Sequence, residues 1–148
     1  MMNGIRPRTD VEVFGEIDMI DQLVTARLER SLPNGMSAAQ FGVLNRFCRR
    51  GETETPAQLA RALQVTKGAM TNTVQRLEAQ AFVEVVADDT DGRRKLVTLT
   101  PKGAAAYEQA LVALRPYYAG LREAFEEAEF RDALPFLTRL RAWLDEHR

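Results

Sequence analysis

Apolar residues recur at near-helical spacing from early in the chain. Val11, Phe14, Ile17, Met19, Ile20, Leu23, Val24 and Leu28 predict a long first helix of about twenty residues, ending before Leu32, Pro33, Asn34 and Gly35. Ser37 with Gln40 has the form of a capping box that opens a second helix, and Gly51 can close it in the left-handed conformation. Thr55, Pro56 and Gln58 repeat the device, with a cap, a proline at the first helical position and a glutamine at the third. The short third helix carries Leu59, Ala60 and Leu63 on one face. Gln64, Val65 and Thr66 form a turn, and Thr66 can cap a fourth helix ending near Gln80. On that helix Met70, Val74 and Leu77 form one apolar stripe.

The period then changes. Phe82, Val83, Val85 and Val86 predict a strand, and Leu96, Val97 and Leu99 a second, joined by a linker rich in Asp and Gly turn formers. After the hairpin Thr100 caps and Pro101 opens a long helix through Ala104, Ala105, Tyr107, Leu111, Leu114, Tyr118, Leu121 and Phe125. A final segment carries Phe130, Leu134, Leu137, Leu140, Trp143 and Leu144. An interior proline removes a helix hydrogen bond and kinks the helix. A bend is therefore expected near Pro116, with Pro135 either in the first turn of the last helix or at a second bend.

The chain has 148 residues, 45% of them hydrophobic, which is material for one compact α-rich domain, or for a small domain with arms that find their core on another copy. No apolar run approaches the ~20 residues of a membrane span, and the first ten residues lack an apolar signal region. A cytoplasmic protein without membrane association is the expectation. One cysteine and one histidine are too few for an ordinary closed zinc site, so neither metal nor cofactor is expected. An enzyme is disfavoured because no nucleophile with a base and an orienting acid is visible. His147, next to the end of the chain, reads as a solvated side chain. Cys48 lies among apolar positions 41, 43, 44 and 47 and reads as a small core-facing residue.

The net charge of −1 hides a pattern. Residues 1–31 hold four basic side chains (Arg6, Arg8, Arg27 and Arg30) and six acidic ones, and residues 103–148 hold six and eight. Between Thr55 and Leu77 stand Arg61, Lys67 and Arg76 with no acid, and between Gly92 and Gly103 stand Arg93, Arg94, Lys95 and Lys102 with no acid. Two local basic patches on a mildly acidic body suit a protein that meets phosphates at defined places. On the fourth helix Thr66, Lys67, Thr71, Asn72 and Gln75 fall opposite the apolar stripe, and Gly68 leaves room for close backbone approach. Amides can pair with adenine, lysine with guanine, and threonine with either an acceptor or the thymine methyl. The same face is also compatible with an ordinary solvated surface. At the hairpin tip, Asp91 is expected to hold Arg93 extended, leaving its guanidinium free to enter a minor groove.

The span from Leu59 to Gly103 resembles the winged helix-turn-helix of MarR-family transcription regulators. Asp91 and Arg93, followed by Leu96, Leu99, Thr100 and Gly103, stand at the spacing of that family's wing signature. The resemblance implies a mainly α fold with a small β-hairpin wing, in which the helix from Thr66 to Gln80 is the recognition helix. It implies major-groove contacts from Thr66, Lys67, Gly68, Thr71, Asn72, Gln75 and Arg76, and wing contacts from Asp91, Arg93, Arg94 and Lys95. Three departures stand out. Gln64 and Ala81 occupy positions where the family usually has glycine, which lowers the ease of a positive φ. Val85 stands where the family usually has a basic residue.

By the same resemblance residues 1–34 form an N-terminal dimerisation helix, 35–100 the DNA-binding domain and 101–148 the C-terminal dimerisation helices. Val13, Ile17, Leu121, Leu137, Leu140 and Leu144 are the expected dimer contacts, since arms this apolar imply partner burial. The implied partners are double-stranded DNA with a pseudo-palindromic operator, a second copy of the chain, and a small-molecule effector that releases a repressor. Met19, Leu23, Phe41 and Arg46 are candidate lining groups for that effector, and none of them identifies it. A redox-responsive regulator switched through Cys48 is the alternative, although the family's peroxide sensors place their cysteine in the first helix, which here has none.

Overall fold

The computed structural model describes residues 8–51 and 53–148. Arg6, the apolar-poor start of the chain and the beginning of the 1–34 segment lie outside the described residues. Helix α1 spans Thr9–Ser31 and stops at Leu32, whose extended backbone leads into a short 3-10 turn, Pro33–Gly35. Asn34 and Gly35 both take positive φ there, as the predicted break requires.

Helix α2, Ala38–Arg50, opens with the expected capping box. The Ser37 hydroxyl accepts from the Gln40 amide at 3.1 Å, and the Gln40 side chain accepts from the Ser37 amide at 2.9 Å. It closes on Gly51 at φ 66. Helix α3, Pro56–Ala62, repeats the box with Thr55 and Gln58 at 3.1 and 2.8 Å. Helix α4, Lys67–Ala79, is capped by Thr66, whose hydroxyl accepts from the Ala69 amide at 3.1 Å. Each satisfied cap removes one of the orphan donors that would otherwise fray the first turn.

Strands β1 (Val83–Ala87) and β2 (Lys95–Leu99) pair antiparallel, with Val83 opposite Leu99 and Val85 opposite Val97. Phe82, expected in the first strand, precedes it. An additional bridge joins β2 from its other side, where Glu54 and Val97 exchange backbone hydrogen bonds of 3.1 and 2.8 Å. The hairpin is thus anchored to the segment that leads into α3.

The structure divides into two compact units within helix α5 (Pro101–Ala124), the first reaching Ala113 and the second comprising Leu114–Arg148. The first unit has a continuous core: Val43, Leu44 and Phe47 of α2, Leu59 and Ala60 of α3, Met70, Val74 and Leu77 of α4, and Val83 and Val97 of the hairpin are all buried. Tyr107 and Ala110 of α5 are buried too, and the Tyr107 hydroxyl donates to the Asn45 side chain at 2.7 Å. The architecture is the predicted one, mainly helical with a two-stranded wing.

The terminal helices differ sharply from this core. Neither α1 nor α6 (Glu127–Glu146) contains a buried residue. Leu23 and Leu134 are each 63% exposed and Trp143 56%. Of the expected dimer contacts, Val13, Ile17, Leu121 and Leu140 are half-buried, while Leu137 and Leu144 are exposed. Pro116 lies inside α5, and Pro135 lies inside α6 and not in its first turn. That first turn belongs instead to Glu126 and Glu129, which form their own capping box. No helix among the described residues is long and apolar enough to cross a membrane.

Candidate nucleic-acid interface

The apolar stripe of α4 faces inward through Met70, Val74 and Leu77, so its opposite face is turned to solvent. Thr66, Lys67, Gly68, Thr71, Asn72, Gln75 and Arg76 are all exposed there. Among the described residues, Lys67, Asn72, Gln75 and Arg76 have side chains engaged in no hydrogen bond or ion pair. Four donor-bearing groups are therefore presented with nothing to satisfy them but solvent or a ligand. Thr66 is different, because its hydroxyl oxygen already accepts from Ala69.

Both ends of α4 are braced by the same device. After α3 the Val65 amide donates to the Ala60 carbonyl at 3.0 Å, with Gln64 at φ 57. After α4 the Phe82 amide donates to the Leu77 carbonyl at 2.9 Å and the Ala81 amide to Glu78 at 2.9 Å, with Ala81 at φ 60. These are Schellman terminations, in which the left-handed residue is usually glycine. Gln64 and Ala81 adopt the positive φ that their side chains disfavour, because the surrounding hydrogen bonds and the core packing of both helices demand it.

At the wing tip the Asp91 carboxylate accepts from the Arg93 backbone amide at 3.1 Å, and the Asp91 carbonyl accepts from the Arg94 amide at 2.9 Å. Asp91 therefore fixes the turn by its backbone contacts. Asp91 meets Arg93 at its backbone amide, and no ion pair holds the Arg93 guanidinium among the described residues. The reason is geometric: a short turn brings the amide of the residue two positions on within reach of an aspartate oxygen. Arg93 and Lys95 are exposed.

Asp88 takes up the neighbouring charge. Its carboxylate accepts from the Thr90 amide at 3.0 Å and the Thr90 hydroxyl at 2.8 Å, and Arg94 approaches to 3.9 Å. These contacts, the Thr90 amide foremost, hold the Asp88 carboxyl below the usual carboxylate range. The Asp88 carboxylate is thus stabilised in its charged form by its own turn, with the Arg94 guanidinium beside it.

One residue stands apart from expectation. Cys48 is exposed, not core-facing. Val43, Leu44 and Phe47 fill the centre of the α2 stripe, and position 48 falls on its edge. Partial screening from water, and after it the Glu108 carboxylate, raise the Cys48 thiol pKa. A switch needs thiolate character, so the redox reading is not favoured. Arg46 is engaged with Glu54 at 2.7 and 2.5 Å. Glu54 carried no sequence signal of its own, because it follows no apolar period and only precedes the Thr55 cap. At the chain end His147 is exposed and its ring stacks on Trp143 at 4.1 Å.

A model of the MarR family matches residues 34–94. The multiple antibiotic resistance protein MarR of Salmonella typhimurium is 36% identical over 106 residues, covering 66% of this chain and 73% of that protein. The chain belongs to the MarR family. Among solved structures, a mutant MarR from E. coli complexed with operator DNA superposes with a TM-score of 0.76 at 29% identity, covering 89% of this chain and 95% of that one. BpsR of Bordetella bronchiseptica, described for the regulation of its DNA binding by 6-hydroxynicotinic acid, gives 0.74 at 26% identity, covering 88% and 98%. As a MarR-family chain this protein is a DNA-binding transcriptional regulator of winged helix-turn-helix fold. The first unit holds the complete helix-turn-helix and wing, and the apolar arms are the parts least able to satisfy themselves.

Proposed function

We propose that the protein is a homodimeric repressor that reads a pseudo-palindromic operator and is released by a small-molecule effector. The observation that carries the reading is the contrast between the two kinds of surface. The α4 face presents Lys67, Asn72, Gln75 and Arg76 without partners, while α1 and α6 leave their apolar side chains uncovered. In this reading residues 35–100 bind DNA, and residues 1–34 and 101–148 pair two chains through Val13, Ile17, Leu121, Leu137, Leu140 and Leu144. Thr66, Lys67, Gly68, Thr71, Asn72, Gln75 and Arg76 enter the major groove. Arg93, Arg94 and Lys95 follow the adjacent minor groove, on a turn that Asp91 braces.

A two-fold protein of this kind places its recognition helices about 34–36 Å apart, one turn of DNA. An effector that prefers a different spacing weakens operator binding by the difference in its affinity for the two arrangements. BpsR supports a small aromatic acid as the class of effector, by likeness alone. The test is selection of bound fragments from genomic DNA with the purified protein, followed by sedimentation of the complex. A palindromic consensus bound by two chains, with affinity that falls steeply with salt, is expected. A monomer that binds DNA without a two-fold consensus would refute the dimer reading. Titration with small aromatic acids, 6-hydroxynicotinic acid among them, then tests the release step.

A further inference from the structure

The last turn of α4 and the first turn of α5 are joined by a compact set of contacts around Thr100. Its hydroxyl accepts from the Gly103 amide at 3.0 Å, capping α5, and at the same time donates to the Ala81 carbonyl at 2.6 Å. The Thr100 amide donates to the Phe82 carbonyl at 3.1 Å. Gly103 lies against that same carbonyl, where an added Cβ would come within 2.0 Å of the oxygen. On the other side Ala81 is held in its left-handed conformation by the termination of α4 itself. The hydroxyl of Thr100 therefore bonds one group fixed by the recognition helix and one fixed by α5.

We propose that Thr100 is a positioning residue that fastens the recognition helix to α5 and so sets the operator spacing the protein accepts. The inference rests on the two-fold reading above. Helix α5 is shared by both units of the chain, and its second part belongs to the proposed dimerisation segment. A stiff joint between α4 and α5 makes the separation of two recognition helices a property of the pairing. A loose joint would let each head adjust to its own half-site. Direct hydrogen bonds between side chain and backbone at a helix end hold such a joint with little rotational freedom.

Thr100 does two things, and different substitutions separate them. Thr100→Ser keeps both hydrogen bonds. Thr100→Val keeps the shape and loses both. Thr100→Asp still caps α5, because a carboxylate accepts from the Gly103 amide, but it cannot donate to Ala81.

The experiment measures the affinity of each full-length variant for a series of operators, starting from the selected site and changing the half-site separation by one and two base pairs. Thermal unfolding of each variant is recorded alongside. Wild type and Thr100→Ser are expected to share a steep spacing preference. In Thr100→Val and Thr100→Asp that preference should fall by about three- to tenfold, the range expected for one hydrogen bond, with Thr100→Asp recovering the thermal stability that Thr100→Val loses. A merely structural cap predicts the same recovered stability for Thr100→Asp but an unchanged spacing preference, and that result overturns the inference. Equal weakening of Thr100→Val at every spacing overturns it as well. A wild type indifferent to spacing points further back, to failure of the two-fold reading.

Discussion

Gly103 at the start of α5 sits against the Phe82 carbonyl so closely that a Cβ built on it would lie 2.0 Å from the oxygen and 2.8 Å from a methyl of Leu99. The obstructing atom is backbone, held by the hydrogen bond from the Thr100 amide, and it cannot swing aside as a side chain would. Gly103→Ala should therefore destabilise the protein by about 3 kcal/mol, the upper range for overpacking. The denaturant midpoint reads this directly, and an unchanged midpoint would contradict the close approach.

The Arg46 and Glu54 pair joins α2 to the strand-like segment beside β2. The Glu54 side chain is 8% exposed and that of Arg46 20%. Removing one partner leaves a poorly solvated charge behind, so Arg46→Met alone and Glu54→Leu alone should each cost about 3 kcal/mol. Replacing both together, Arg46→Met with Glu54→Leu, should cost about 1 kcal/mol or less, because the desolvation of both charges is relieved at once. A double-mutant cycle measures the difference. Simple additivity of the two single variants would show that the pair is not coupled.

Ala81 and Gln64 hold positive φ without being glycine. A left-handed Cβ-bearing residue costs about 1–2 kcal/mol, and glycine avoids that cost while losing about 0.5–1 kcal/mol through its freer unfolded chain. Ala81→Gly should thus stabilise the fold by about 0.5 kcal/mol. Ala81→Val should do the reverse, by more, since a β-branched side chain fits this region worst. Chemical denaturation of the pair decides the sign.

These two turns also show how far the sequence could be read. The caps at Ser37, Thr55 and Thr66 and the closing Gly51 were legible because each depends on residues three or four positions apart. The stripe of Met70, Val74 and Leu77 was legible for the same reason, and it fixed which face of α4 is exposed. Glu54 was not, because its role arises from Val97 and Arg46, which meet it only in the folded chain. Cys48 misled, since an apolar stripe defines its centre better than its edge. Pro135 has two placements open in the sequence, because the start of α6 is set by Glu126, which is not among the residue types that usually cap a helix.

The pKa of the Cys48 thiol is raised, with partial desolvation as the first cause and Glu108 as the second. Its alkylation by iodoacetamide should be slower at mildly alkaline pH than that of an unperturbed thiol, and Glu108→Gln should speed it. The sign for stability follows from proton binding. The folded state holds the thiol proton to higher pH than the unfolded state does, so this contribution is present below the ordinary thiol range and is lost as pH rises through the folded value. Peroxide should leave operator binding of wild type and Cys48→Ser equally unaffected. Loss of binding in wild type alone would revive the redox reading.

Gly68 occupies the first turn of α4, exposed, with nothing within 4 Å of where a Cβ would stand. No packing inside this chain explains a glycine there, nor does a left-handed conformation. Within a helix glycine costs about 0.5–1 kcal/mol relative to alanine, so Gly68→Ala should stabilise the free protein by that amount. If the bare α-carbon instead serves the close approach of DNA, the same variant should bind operator more weakly than wild type. The two effects have opposite signs and are measured separately, by unfolding of the free protein and by titration with operator DNA. A stabilised variant with undiminished affinity would remove Gly68 from the interface while leaving Lys67, Asn72 and Gln75 in place. Reduced stability would instead mean that a neighbour crowds this position in the folded chain. Only the combination of a firmer helix and a weaker complex supports a glycine placed there for its ligand.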